Sequence, residues 1–191
     1  AAPALGTQGT LTDGGAIGAL VMGDGTNWNC AEAKSLKVII VTCPPYHARG
    51  DGVTDDRAAL NTANTAATTT GTLVLPRGTY KISSNLTLSA AVQFANGAVL
   101  SPDAAVVVTI TGPFTAGQHQ IFTTGAGTIS FAGGKVRELI PQWWGANGAD
   151  GTSDTTAIQA AIDAAAGAVF ANGRLPIFLP TGLYQTTAPL V

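Results

Sequence analysis

Residues able to do chemistry are sparse here, and the densest groups are carboxylates. Asp51, Asp55 and Asp56 lie within Gly50-Asp51-Gly52-Val53-Thr54-Asp55-Asp56, and Asp150 and Asp154 within Gly148-Ala149-Asp150-Gly151-Thr152-Ser153-Asp154. Clustered carboxylates can ligate calcium, but such a site needs further oxygen ligands, and none is evident nearby. Both runs lead directly into Ala-rich segments. Thr54, Asp55 and Asp56, like Ser153 and Asp154, are residue types whose side-chain oxygens cover the unpaired N–H groups that open a helix, where the helix dipole also favours negative charge. Capping and turn formation is therefore the preferred reading, with Asp56 and Asp154 at the starts of two short helices. His47 and His119 stand far apart with no Cys or carboxylate at ligand spacing, so neither a metal nor a cofactor is expected. Arg49-Gly50-Asp51 spells an adhesive tripeptide, yet Asp51 already belongs to the Gly-Asp-Gly turn. Trp143 and Trp144 could stack on sugar rings or anchor a junction, and the junction is preferred because aromatics beside a linker bury well. Cys30 and Cys43 could form a disulfide or remain two buried thiols. No Gly-x-Ser-x-Gly, phosphate loop or paired-cysteine metal motif occurs. No catalytic residue is nominated.

The elements that position these residues occur twice. Tyr46-His47-Ala48-Arg49 leads into the first Gly/Asp run and Trp144-Gly145-Ala146-Asn147 into the second. Each helix-forming segment is followed by Leu-Pro-x-Gly-x-Tyr: Leu75-Pro76-Arg77-Gly78-Thr79-Tyr80, then Leu179-Pro180-Thr181-Gly182-Leu183-Tyr184. One module is thus repeated, with about six extra residues in the second helix-to-strand connection. Ala58, Ala59, Leu60, Ala63, Ala66 and Ala67 give the first helix a small apolar face, and Ala157, Ile158, Ala161, Ile162 and Ala165 give the second the same face. Pro76 and Gly78 should turn the chain between strands at residues 72–75 and 80–82, with Pro180 and Gly182 as their counterparts.

The combination of Gly-Asp-Gly-Val-Thr-Asp-Asp, an Ala-rich helix and a Leu-Pro-x-Gly-x-Tyr turn resembles the opening of the pectate-lyase-like, right-handed parallel β-helix superfamily. That superfamily includes rhamnogalacturonase-type enzymes and many bacteriophage tailspike and tail-appendage proteins. The resemblance covers residues 46–88 and again 144–191. More loosely, Gly112-Pro113-Phe114-Thr115-Ala116-Gly117, Gln120-Ile121-Phe122 and residues 136–145 resemble the linker between two such modules in phage-type tail proteins. It implies a mainly β fold: a right-handed parallel β-helix with short capping α-helices, a short first module, the start of a second, and an extended N-terminal arm. Enzymes of the superfamily carry paired acids, or calcium and basic residues, on later coils or between subunits. Residues 73–140 hold only Asp103 and Glu138 as acids, in different elements, so the carboxylate pair of glycoside hydrolysis cannot be argued from them. Catalytic machinery is expected to be absent from this chain or to lie beyond it, in a parent that could be a polysaccharide depolymerase.

Composition bounds the alternatives. The chain has 191 residues, only 10% of them charged, with a net charge of −2, and no basic stripe that would suit nucleic acid. The apolar run at residues 36–41 is interrupted by Lys37 and too short to span a bilayer. Residues 1–27 scatter Leu5, Leu11, Ile17, Leu20 and Val21 among Gly, Thr and Ala, which suits an extended arm that orders against a partner. Trp28 is a candidate anchor, and residues 38–42 read as a buried strand. With no basic n-region ahead of an apolar core, the start does not read as a signal peptide, and the chain is expected to be part of something longer.

Short apolar runs then recur every six to ten residues through residues 73–131, separated by turn chemistry at Asn96-Gly97, Ser101-Pro102-Asp103, Thr111-Gly112-Pro113 and Gly125-Ala126-Gly127. This suffices for two or three solenoid rungs. The expected divisions are 1–45 for the arm, 46–140 for the first module, and 141–191 for the linker and second start. The expected role is a structural and assembly segment of a phage tail fibre or tailspike, located in the virion tail. Its partners would be two further copies in a homotrimer, other virion tail proteins and host surface polysaccharide. The alternative is the N-terminal part of a secreted polysaccharide lyase or glycoside hydrolase.

Overall fold

A computed structural model of the chain describes residues 37–125, 127–132, 135–168 and 174–191; the arm at 1–36, with Trp28 and Cys30, lies outside the described residues. The protein is mainly β with few helices. Among the described residues ten strands run β1 Val38–Ile40, β2 Asp51–Asp55, β3 Thr72–Leu75, β4 Gly78–Ile82, β5 Leu86–Leu88, β6 Ala91–Phe94, β7 Ala98–Pro102, β8 Val107–Ile110, β9 Phe114–Thr115 and β10 Thr128–Phe131. Helix α1 spans Arg57–Thr70 and α2 Thr155–Gly167, and a 3₁₀ turn covers Pro141–Trp144.

The strands form three sheets, β1-β3-β6-β9, β2-β4-β7 and β5-β8-β10, and every pairing between them is parallel. The chain visits the sheets in rotation: β3, β4, β5, then β6, β7, β8, then β9, a bridge from Phe122 to Leu100 of β7, and β10. In the first circuit α1 stands in place of a third strand. It lays Leu60, Ala63 and Ala67 against β3 and β5 and so covers the end of the stack. Alternation drives this arrangement: the inward residues of β4, β5, β7 and β8 include Tyr80, Ile82, Leu86, Leu88, Leu100, Val108 and Ile110, each at most 2% exposed.

Close approach fixes the corners. A Cβ on Gly112 would sit 1.9 Å from the Ala90 carbonyl oxygen, and one on Gly71 would sit 1.7 Å from that of Lys37, so neither position admits a side chain. Buried Asn64 of α1 ties the helix to the β5–β6 corner, accepting from Ser89 N at 2.9 Å and Ala90 N at 3.0 Å and donating to Thr87 O at 3.2 Å.

Three sequence expectations need correction. Residues 51–55 were expected to be turn and cap, yet they form a strand. It pairs with β4 only at Asp51–Thr79 and Asp55–Lys81, with an irregularity between, so its five exposed residues carry no hydrophobic alternation. Ser101 and Pro102 lie in β7 rather than a turn; Pro102 is the last strand residue, where a missing N–H is tolerated. The buried strand expected at 38–42 ends at Ile40, because Cys43 N bonds back to Ile40 O and turns the chain.

The division at residue 140 does not separate two cores. One buried cluster runs from Val41 to Leu175, and α2 packs over β10 and the 3₁₀ turn.

Candidate functional site

The conspicuous construction is the repeated Gly–Asp turn. Asp56 and Asp154 immediately precede α1 and α2, but neither side chain caps its helix. Asp56, 2% exposed, reaches back instead: Oδ1 accepts from Arg49 N at 2.5 Å and Oδ2 from Gly50 N at 2.9 Å. Asp154 accepts from Asn147 N at 2.7 Å and from Gln185 N at 3.0 Å. The capping expectation is therefore corrected for Asp56 and Asp154, whose oxygens are taken by these loop N–H groups, but it holds for Asp55 and Ser153, which accept from the first N–H of each helix, Arg57 N at 3.1 Å and Thr155 N at 3.4 Å. Burial pushes the Asp56 carboxyl above its ordinary range, against the pull of those two N–H groups.

Around these buried acids the exposed ones brace the loops. Asp51 accepts from Val53 N, Thr54 N and Thr54 Oγ1, and these bonds, led by Thr54 N, hold it down at about 2. Asp55 accepts from Ser83 Oγ, the main cause of its lowered pKa, and from the N–H groups of Ser83 and Arg57. Asp150 accepts from Thr152 N and Oγ1 and from Asn147 Nδ2, and is lowered chiefly by the Thr152 N–H. Ser153 Oγ lies 3.0 Å from Thr155 Oγ1 and 2.9 Å from Thr187 Oγ1.

The Leu-Pro-x-Gly-x-Tyr turns lock onto the Gly–Asp turns in both copies. Thr79 N donates to Gly50 O and Leu183 N to Gly148 O, each at 2.8 Å. Gly78, at φ +154°, lies so close that a Cβ would meet Gly50 O at 2.8 Å, and Gly182 presses on Gly148 in the same way. Tyr80 Oη donates to Pro76 O at 2.9 Å and Tyr184 Oη to Pro180 O at 3.0 Å. Burial pushes the Tyr80 hydroxyl far up, so it stays a neutral donor.

Trp143 and Trp144 are 6% and 4% exposed, with neither face free for a sugar. Trp143 stands edge-on to Phe114 at 4.7 Å and donates Nε1–H to Gly117 O at 3.0 Å; Trp144 packs on Phe122 at 5.2 Å. Phe94 and Phe131 complete this aromatic cluster. Cys43 is buried and disulfide-bonded. Of the expected acids, Asp103 pairs with Lys81 at 3.6 Å and Glu138 is exposed on a separate segment. Among the described residues no group of three His, Cys, Asp or Glu could hold a metal ion, and no helix is long and apolar enough to cross a membrane.

Sequence reasoning missed two features. Asn64 carried no motif, and its burial beside a β corner depends on tertiary packing. The other is a cleft of about 480 Å³ between Gln118-His119-Gln120 and the second Gly–Asp turn, lined also by Gln142, Thr181 and Tyr184.

No curated protein and no solved structure matches the chain. Residues 40–122 match a family described as rhamnogalacturonase A/epimerase, pectate lyase-like. The matched stretch runs from the end of β1 to the Phe122 bridge, and with its parallel sheets it supports the pectate-lyase-like superfamily for this part of the chain.

Proposed function

We propose that the chain is a structural and assembly segment of a bacteriophage tail fibre or tailspike, linking the virion to a distal receptor-binding or glycan-degrading β-helix. The carrying observation is a contrast between the two copies. In the first, Val74 and Leu75 are 2% and 0% exposed beneath β6; their counterparts Phe178 and Leu179 are each 48% exposed, and Leu183 is 75% exposed. The second copy thus presents an uncovered apolar face of the kind that receives a further parallel coil. The winding is inferred to be right-handed, the hand nearly all parallel crossovers adopt.

On this reading the segment is a homotrimer in the virion tail. Residues 1–36 contact neighbouring subunits and other tail proteins, the arm being shorter than the expected 1–45 because residues 38–43 are built into the chain's own first sheet and core, and host surface polysaccharide is the distal target. Low charge density favours it, since few ions would be desolvated between subunits. Native mass measurement with light scattering tests the assembly: a trimer is expected, and a compact monomer with an ordered arm overturns it. Incubation with bacterial capsule or pectin should release neither reducing ends nor unsaturated products absorbing in the ultraviolet.

The family match favours a second reading, the N-terminal part of a secreted polysaccharide lyase or glycoside hydrolase whose active site lies outside these residues. A monomer lacking cleavage activity would favour it.

A further inference from the structure

We propose that the cleft between residues 118–120 and the second Gly–Asp turn binds a single uncharged sugar unit. The proposal rests on the polysaccharide partner named above and gives it a place on this chain. At about 480 Å³ the cleft is of small-ligand size. No Lys, Arg, Asp or Glu lines it, so an ionised ligand would meet no counter-charge, whereas amides, two hydroxyls and an imidazole offer both donors and acceptors to a polyhydroxylated ring.

The hydrogen bonding inside it is incomplete. Tyr184 Oη spends its one proton on Pro180 O, so it can only accept from Gln142, which must turn its Nε2 toward the tyrosine. The orientation of the Gln142 amide is thereby fixed and its Oε1 points elsewhere. That Oε1 and His119 Nε2 are both shut off from solvent without a hydrogen-bond partner. Leaving such an atom unsatisfied costs about 1–3 kcal/mol. A hydroxyl seated in the cleft satisfies His119 Nε2 after a rotation of that ring, and reaches Gln142 Oε1 with a shift of the side chain that keeps its Nε2 on Tyr184.

The cleft belongs to the second copy. Where Gln142 stands, the first copy has Pro44, and Tyr80 there is fully buried with Pro76 O as its partner. Two glycines make room for the polar wall: a Cβ on Gly117 would lie 2.8 Å from His119 Nδ1, and one on Gly145 would lie 3.2 Å from the Gln120 amide carbon. The uncharged lining is a local departure from the first copy, which has Arg49, Asp51 and Arg77 where the cleft has Asn147, Ala149 and Thr181.

The test titrates the full chain with methyl glucoside, methyl galactoside and N-acetylglucosamine, with galacturonate as the charged comparison, by calorimetry and by NMR of the His119 ring protons. At least one neutral sugar should bind with a dissociation constant on the order of 1 mM and shift the His119 resonances. Gln142→Leu and His119→Ala should each weaken binding at least tenfold. Asp163→Asn, outside the cleft, should leave it unchanged. If the variants fail to fold, the wild-type His119 shifts decide. Absence of neutral-sugar binding, binding that both variants retain, or galacturonate binding at least as tight overturns the proposal. A failure here leaves the trimeric-segment reading standing, since native mass measures that independently.

Discussion

Replacing Asp56 with Ala should destabilise the protein by more than the loss of a helix cap would. A cap substitution costs about 1 kcal/mol. Asp56 caps nothing, however; its two oxygens accept from Arg49 N at 2.5 Å and Gly50 N at 2.9 Å, at a side chain only 2% exposed. Alanine would leave both donors unpaired. Each orphaned buried donor costs about 1–3 kcal/mol. Because Gly50 is half-buried and Arg49 is exposed, water can reach the donors in part, which points to the lower end. Burial of the carboxylate, which raises its pKa, offsets a further part. The expected loss is about 2–4 kcal/mol, a large fraction of the roughly 5–15 kcal/mol that holds a domain folded. Urea unfolding followed by far-ultraviolet circular dichroism measures it, with an unchanged slope showing that only stability moved. Asp56→Asn keeps one acceptor but turns an amide N–H₂ toward the other donor, so it should recover little. A loss of 1 kcal/mol or less for the alanine variant, at unchanged slope, would refute the pinning role and restore the cap.

Gly112→Ala should fail to fold or lose more than about 3 kcal/mol, because its Cβ would meet the Ala90 carbonyl at 1.9 Å, while Gly167→Ala, with nothing within 4 Å, should be neutral or slightly stabilising in the same unfolding assay. Trp143→Ala should cost about 3–5 kcal/mol and flatten the near-ultraviolet spectrum, since it removes the ring that packs Phe114 and Phe131. Stability should fall on acidification: Asp51, lowered from 3.8 to about 2, contributes fully above 3.8 and loses that contribution as pH falls through about 2. Asp55 and Asp150 act in the same direction, whereas Asp56, raised by burial, gains stability as pH falls through its folded pKa. Urea midpoints at stepped pH should show a smaller acid loss in Asp51→Asn than in wild type; equal losses would remove Asp51 from the account.

The repeated phrase determined a good deal unaided. Local chemistry alone dictates two short helices opening after Asp56 and Asp154, the strand at Thr72–Leu75, the turn through Pro76 and Gly78, and the spaced apolar runs that become β5 to β8. Alanine spacing, β-branched runs and Pro–Gly pairs act within a few residues of themselves. What the aspartates do was decided only in three dimensions. Asp56 and Arg49 are seven residues apart, and Asp154 and Gln185 thirty-one, so the bonds that displaced capping depend on how the chain returns. The same holds for β2, whose parallel partner β4 lies beyond a whole helix, and for Asn64, buried because a β corner arrives over it. The cleft beside Tyr184 joins residues 118–120, 142 and 180–184 across the junction of the two copies. No local pattern encodes such a meeting, because hydrogen-bond satisfaction at a buried atom is set by whichever distant group packing delivers to it.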